Sequence, residues 1–506
     1  MKNSVLIMGI DGVSWDLLRP WIEDGKLPTL SRLVQKGASG NLKTVIPPLS
    51  CTAWTSLFTG TNPGKHGIYE YTTESGKLIN SKLIKSEKIW NILSKHNKRC
   101  CVINVPLTYP VDELNGYMIS SFLTPPNEKI YSYPKEIMPL LEQLGYRISI
   151  KHEKFAFLPN TKETVEQKES ILKDLYDVLE KRYLTLKELM NENWDFFYFV
   201  FNETSTLQYL FFDRKDLMLE FFKKIDDYLG DLIDVFSSKN KNPYIFIVSD
   251  HGYNPAPTIQ FNLRKWLQEE GFLKDHRTLF QKIIPKIYKI VNKKPLSKLI
   301  FFLDKPKEVR EAFLRKSVET SKIYYRNPGI YIEDKNMNKM EYDGLRNLMM
   351  EKLKQTKDIS TQDTIFQVVE KKEDIYSGNF VKHAPDIILV SKNKYVLNFS
   401  YDSEKTFENI KLNMPGNHTT SLKGIIIANG QDITYKRNDD SSILDIFPTL
   451  LHILNVPIPK NIDGKVIKNI FKENSDLYNK EAVLLRDSIE KNEKTKIKEA
   501  IQNINI

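Results

Sequence analysis

Short, wholly apolar runs alternate along this chain with longer runs whose apolar residues recur at helical spacing. "SVLIMGI", "CCVINVPL", "DFFYFVF" and "YIFIV" are continuous apolar stretches bounded by turn residues, the pattern of strands buried on both faces of a parallel sheet. Between them lie helix-patterned stretches: "WDLLRPWIEDG", "LPTLSRLVQKGA", "YPKEIMPLLEQLGY", "ESILKDLYDVLEKRYLTLKELMNE" and "LMLEFFKKIDDYLGDLIDVFSS". Repeated alternation of the two patterns predicts an α/β fold with a mainly parallel central sheet flanked by helices.

The pattern changes near residue 259. Segment 276–316 is basic and helical and is interrupted by Pro285, Pro295 and Pro306; "NPGIYIED", "LRNLMMEKLKQT" and "TIFQVVEKKEDIY" then read as a small α+β lobe. Apolar strand patterns resume with "APDIILVS" and "GIIIANG", followed by the helical "SILDIFPTLLHILNVPIP". The expected layout is a core in two parts, 1–258 and 381–472, an inserted helical and α+β cap lobe at 259–380, and a charged helical tail at 473–506.

Composition narrows the classes. The 506 residues are 41% apolar and 27% charged, which fits a globular protein and not a disordered chain. The net charge of +10 is spread thinly over Lys-rich stretches, so a solvated surface is the plainer reading than a polyanion patch or peripheral membrane contact by segment 276–316. No nucleic-acid-binding module is visible, and no apolar run reaches the ~20 residues that span a bilayer. The three cysteines, two of them adjacent, do not form a disulfide framework, and "MKNSVLIMGIDG" lacks a leader's cleavage site; a reducing, cytoplasmic compartment is expected.

Candidate chemistry sits at the ends of the apolar runs. Asp11 ends "VLIMGID", and Asp250 and His251 end "YIFIVSDH"; in open α/β sheets such strand ends converge on ligands even across 239 residues of sequence. Two carboxylates and an imidazole form a donor set for a divalent ion such as Zn²⁺ or Mn²⁺. "IPPLSCTAWTSLFTG" places three possible nucleophiles, Ser50, Cys51 and Thr52, where a loop becomes a helix. Unpaired N–H groups and the positive end of the helix dipole favour an anion there.

In order, "GIDGVSWDLL", "LPTLSRLVQKGASGNL", "IPPLSCTAWTSLFTGTNPGKHGIYEY", "VSDHG", "GNHTTSLKGIIIANG" and "SILDIFPTLLHILNVPIP" resemble the alkaline phosphatase superfamily, and within it the type I phosphodiesterase/nucleotide pyrophosphatase branch. The resemblance covers roughly residues 3–255 and 380–470. It implies a metal-dependent phosphohydrolase acting on a small phosphate ester through a covalent phospho-enzyme. Alternatives are phosphomonoesterase or phosphotransferase chemistry of the same superfamily, or an impaired protein that binds metal and anion without turnover. The family nucleophile lies ten residues before the glycine of a Thr-Gly pair, here Thr59-Gly60, which implies Ser50. Formylglycine sulfatases would instead use Cys51, but their motif needs Pro and Arg where this chain has Ala53 and Thr55.

The resemblance further implies one ion held by Asp11, Ser50, Asp250 and His251. A second ion would take an Asp and a His four residues apart, together with His418 of "PGNH". The Asp and His positions fall on Ser205 and Tyr209, neither a usual zinc ligand, with Glu203 the nearby carboxylate as candidate substitute. One site therefore reads as intact and the other as degraded. His66, His383 and His452 read as structural, and His96, His152 and His276 as surface residues.

Overall fold

The computed structural model describes residues 2–73, 75–150, 165–273, 323–333, 337–399, 403–438 and 441–485. The basic segment 276–316, His152 and the tail beyond 485 lie outside the described residues. Among the described residues no helix is long and apolar enough to cross a membrane. The chain divides into two compact units: Met1–Pro255 with Tyr376–Lys382 and Asn413–Ile506, and Ala256–Ile375 with His383–Leu412.

The larger unit is built on a sheet with ten strands among the described residues. Its centre is formed by β1 (Ser4–Ile10), β3 (Cys100–Ile103), β4 (Gly116–Ile119), β6 (Phe196–Phe201) and β7 (Pro243–Val248), all parallel, in the order β7-β1-β6-β3-β4. The strand Lys423–Asn429 runs antiparallel between β7 and β2 (Ala38–Lys43), and β5 (Ser132–Tyr133) pairs antiparallel with β4. The expected α/β architecture with a mainly parallel sheet is thus observed.

Strand alternation explains why the central runs are apolar throughout. Val5, Ile7, Phe196, Tyr198, Val200, Phe246 and Val248 face one core with Trp54, Phe58, Trp90 and Phe447. Leu6, Met8, Ile10, Phe197, Phe199, Phe201 and Ile247 face the other with Leu18, Trp21, Phe221 and Leu229. A sheet with helices on both faces has no polar side to show, and each large side chain fully buried contributes about 1.5–3 kcal/mol. The helices include α1 (Trp15–Glu23), α2 (Pro28–Lys36) and α3 (Ser50–Thr59), together with long helices at Val165–Leu189 and Lys215–Lys239.

The smaller unit has its own core around Phe261, Trp266, Ile330, Met349, Leu353 and Leu389. It contains a four-stranded antiparallel sheet, a three-stranded sheet, and the helix Lys339–Gln355, whose start is fixed by a capping box between Asn338 and Glu341.

Candidate metal and nucleophile site

β1 and β7 are neighbours in register, Gly9 opposite Val248, so their carboxyl ends deliver Asp11 and the Asp250-His251 pair side by side. The two loops are tied together. The Gly12 amide donates to Asp250 Oδ1 at 3.1 Å, and the Val13 amide donates to Ser249 Oγ at 2.7 Å. Ser249 passes its own hydrogen to the His251 carbonyl at 2.7 Å. Gly12 turns with φ +74°, a left-handed conformation that suits glycine. The result is a buried group in which one ligand atom from each of Asp11, Asp250 and His251 lies within 4.8 Å of the others, the one such cluster of three among the described residues.

The first residue of α3 points into this group. Ser50 Oγ lies 3.2 Å from Asp11 Oδ1 and 3.2 Å from His251 Nε2. The Thr52 and Ala53 amides bond back to the Leu49 carbonyl, and Ser50 and Cys51 open the helix, where amides have no carbonyl one turn earlier within it. An anion beside Ser50 would therefore meet amide donors at the positive end of the helix. The opposite end closes at Gly60, φ +64°, whose missing side chain makes room for the Phe447 ring.

Trp54, one turn into α3, donates its indole N–H to Asp11 Oδ2 at 3.0 Å. This fixes the carboxylate while Oδ1 faces Ser50. The approach is possible because residue 9 is glycine: a Cβ there would come within 2.6 Å of the indole and 2.8 Å of Val200.

Cys51 is wholly buried in the apolar core, 3.7 Å from the Thr52 hydroxyl, and burial pushes its thiol far above the ordinary range. A thiol held protonated is a poor nucleophile. Thr52 is likewise fully buried.

The electrostatics of the group are unbalanced in a telling way. Burial raises the Asp11 carboxyl, and burial together with the Asp11 charge raises that of Asp250. Burial lowers the His251 imidazole. His251 Nδ1 lies 3.1 Å from the Gly252 carbonyl, which only an N–H can satisfy, so Nε2 presents a lone pair. That lone pair faces Asp250 Oδ2 at 3.2 Å, and Oδ2 is buried without a hydrogen-bond donor. Lone pairs aimed at one another are reconciled by a proton or a metal cation between them. The donor set and the orphaned oxygen fit a divalent ion.

A family model for type I phosphodiesterase/nucleotide pyrophosphatase matches residues 5–419. The chain belongs to this family. No curated protein matches it. Among solved structures, the murine ectonucleotide pyrophosphatase/phosphodiesterase 5, an inactive form in complex with AMP, is 14% identical with a TM-score of 0.52, covering 93% of this chain and 100% of that one. Phosphonoacetate hydrolase from Sinorhizobium meliloti 1021, in complex with phosphonoformate, is 16% identical with a TM-score of 0.56, covering 90% of this chain and 96% of that one. These likenesses establish the fold. Family membership establishes the class, phosphohydrolase of the phosphodiesterase/nucleotide pyrophosphatase kind.

The other residues expected from this family pattern are also placed. His418 stacks on His251, ring centroids 4.8 Å apart, with both its nitrogens buried and without hydrogen-bond partners. Burial and the neighbouring His251 lower its pKa to about 3. Ser205 Oγ lies 3.1 Å from the Tyr253 hydroxyl and is near enough to Asp11 to favour its charged carboxylate. Tyr209, one turn on, is half-buried against the second core. Glu203 does not join the Asp11 cluster: its buried carboxylate is paired with Arg182 at 2.7 Å. Proximity in sequence to Ser205 made it a candidate substitute, but an arginine from the helix Val165–Leu189 holds it instead.

His66 is structural in its geometry, donating from Nε2 to Ser56 Oγ at 2.9 Å and accepting from the Ile68 amide at Nδ1 at 3.1 Å. His452 is buried against the Leu477 carbonyl, while His96 and His383 are exposed. Three aromatic residues at the site escaped the sequence reading: Trp54, Tyr253 and Tyr71. The Tyr71 hydroxyl lies close to Ser50 and is held protonated by burial and the nearby acidic groups. The signal for Tyr71 lay in "GIYEY", within a motif already singled out.

Proposed function

We propose that this chain is a metal-dependent phosphodiesterase of nucleotide pyrophosphatase type, with Ser50 as nucleophile. The observation that carries the reading is the position of Ser50 Oγ, 3.2 Å from both Asp11 Oδ1 and His251 Nε2 at the start of a helix. Ser50 Oγ bonds to phosphorus as the bond to the leaving oxygen breaks, and water later cleaves the Oγ–phosphorus bond and restores the serine. The hydroxyl lies within hydrogen-bond reach of Asp11 and His251, and once a cation takes the His251 lone pair the Asp11 carboxylate is the acceptor left for its proton. Asp11, held by Trp54, orients the hydroxyl, and the amides of the first turn of α3 face the phosphoryl oxygens. A divalent cation, zinc or manganese, held by Asp11, Asp250 and His251, would supply the positive charge that lowers the hydroxyl pKa and offsets charge on the transferred group.

A second reading, a protein that binds metal and anion without efficient turnover, is favoured by one observation: Ser205 and Tyr209 stand where an Asp and a His would hold another ion. The three buried, unpaired thiols fit a reducing, cytoplasmic compartment.

The test is a metal-supplemented hydrolysis screen over phosphodiester, phosphomonoester, nucleotide and sulfate-ester substrates, with a chelator control. Turnover of diesters that is lost in chelator and restored by Zn²⁺ or Mn²⁺ is expected. Ser50→Ala should abolish it, whereas Cys51→Ser should retain most of it. A dead Cys51→Ser beside an active Ser50→Ala would overturn the assignment, and full activity in excess chelator would overturn the metal.

A further inference from the structure

Tyr253 is placed where the sequence pattern gave no role. One side of its ring is packed against Gly12, so that a Cβ at position 12 would come 2.6 Å from Cδ2 and 2.7 Å from Cε2. Its centroid is 5.3 Å from that of His418 and 6.2 Å from that of His251. Its hydroxyl is 3.1 Å from Ser205 Oγ, it is 5% exposed, and Tyr209 is within electrostatic reach. The phenol thus stands among residues 205, 209 and 418, the three positions at which the family pattern locates a second ion.

We propose that Tyr253 fills the place of that second ion, so that this chain holds a single divalent cation and works with neutral hydrogen-bond donors where a second charge would stand. The inference rests on the reading that Asp11, Asp250 and His251 hold one ion. The donors at 205 and 209 do not fit a second: a hydroxyl and a phenol are poor neutral zinc ligands, and His418 alone cannot retain an ion. Tyr253 adds a steric reason. Zinc needs its ligand atoms about 2.0–2.2 Å from a common centre, and the Tyr253 side chain, its hydroxyl hydrogen-bonded to Ser205 and its ring centroid 5.3 Å from that of His418, takes up space beside both positions.

The charge balance points to a substrate class. One divalent cation and the two carboxylates of Asp11 and Asp250 sum to no net charge, so the centre suits a singly charged phosphodiester better than a doubly charged phosphomonoester.

The test strips the full-length chain with chelator and titrates it with Zn²⁺, counting bound ions by elemental analysis after desalting. Wild type should retain one ion. Ser205→Asp with Tyr209→His restores ligands but keeps the ring, and should still retain one. Adding Tyr253→Ala should raise the count to two, and should move the diester-to-monoester ratio of kcat/KM towards the monoester by about tenfold. Two ions in the double variant, or equal counts in double and triple variants, would overturn the role of Tyr253. An unchanged ratio would overturn the charge argument. No ion in wild type would sink the Asp11 centre, yet the one-ion difference between double and triple variants would still decide the role of Tyr253. If the triple variant fails to fold, a Co²⁺ absorption titration of wild type decides: a single break at one equivalent supports the proposal, and a second break at two equivalents overturns it.

Discussion

Trp54→Phe tests the link between the core and the site. The substitution keeps an aromatic ring under β1 but removes the indole N–H that donates to Asp11 Oδ2 at 3.0 Å. Asp11 is 1% exposed, so water does not replace the lost donor. A hydrogen bond to a charged group contributes about 1.5–3 kcal/mol. Its loss favours the protonated carboxyl, already raised by burial, and penalises the charged form that a cation requires. Zn²⁺ affinity at neutral pH should therefore fall roughly 10- to 150-fold. The smaller ring also leaves a void beside Tyr198, costing about 1–3 kcal/mol of stability. Trp90→Phe separates the two effects. Trp90 is equally buried in the same core, packs on Phe58 and donates to Asp112 at 2.8 Å, far in sequence from the candidate ligands. Calorimetric Zn²⁺ titration and urea unfolding of both variants should show similar losses of stability and a loss of affinity in Trp54→Phe alone. Wild-type affinity in Trp54→Phe, or an equal loss in Trp90→Phe, would refute the reasoning.

Two further outcomes follow from buried groups. Burial lowers His66 to about 3 from an ordinary 6.5, so the stability that depends on its neutral form is fully present above pH 6.5 and is lost as pH falls towards 3; urea midpoints of His66→Asn should fall less steeply over that window than those of wild type, and parallel slopes would count against it. Arg182→Met should cost about 3–5 kcal/mol by leaving the Glu203 carboxylate buried and unpaired, and adding Glu203→Gln should recover much of the loss, which chemical denaturation would measure.

The strands that frame the site were legible because burial on both faces leaves an unbroken apolar run, and Asp11, Asp250 and His251 stood out as polar residues at its end. Strand direction was not legible in the same way. "GIIIANG" reads as a core strand whichever way it runs, and it proves antiparallel to both neighbours. "APDIILVS" reads as a buried strand but carries no mark of its sheet; it pairs with Gly329–Ile332 and Phe366–Lys371 in the smaller unit. The aromatic side chains at the site were hidden for a related reason. Trp54 and Tyr253 look like core residues because most of each ring is one, and a single polar atom decides their role.

The pairing of β1 also sets a timetable for synthesis. Val5 pairs with Phe196 and Ser4 with Pro243, so β1 must wait for both of its partners, which follow it in the chain. At about 5–20 residues per second the second partner leaves the ribosome roughly 10–50 s after β1. Until then one of the most apolar segments of the chain has open edges on a growing polypeptide, and its closure crosses long loops that slow folding. The cluster of Asp11, Ser50, Asp250 and His251 cannot assemble before β7 docks. Yield in a cell should therefore depend on chaperone supply and translation speed more than on metal supply, because the nascent chain has no site to load.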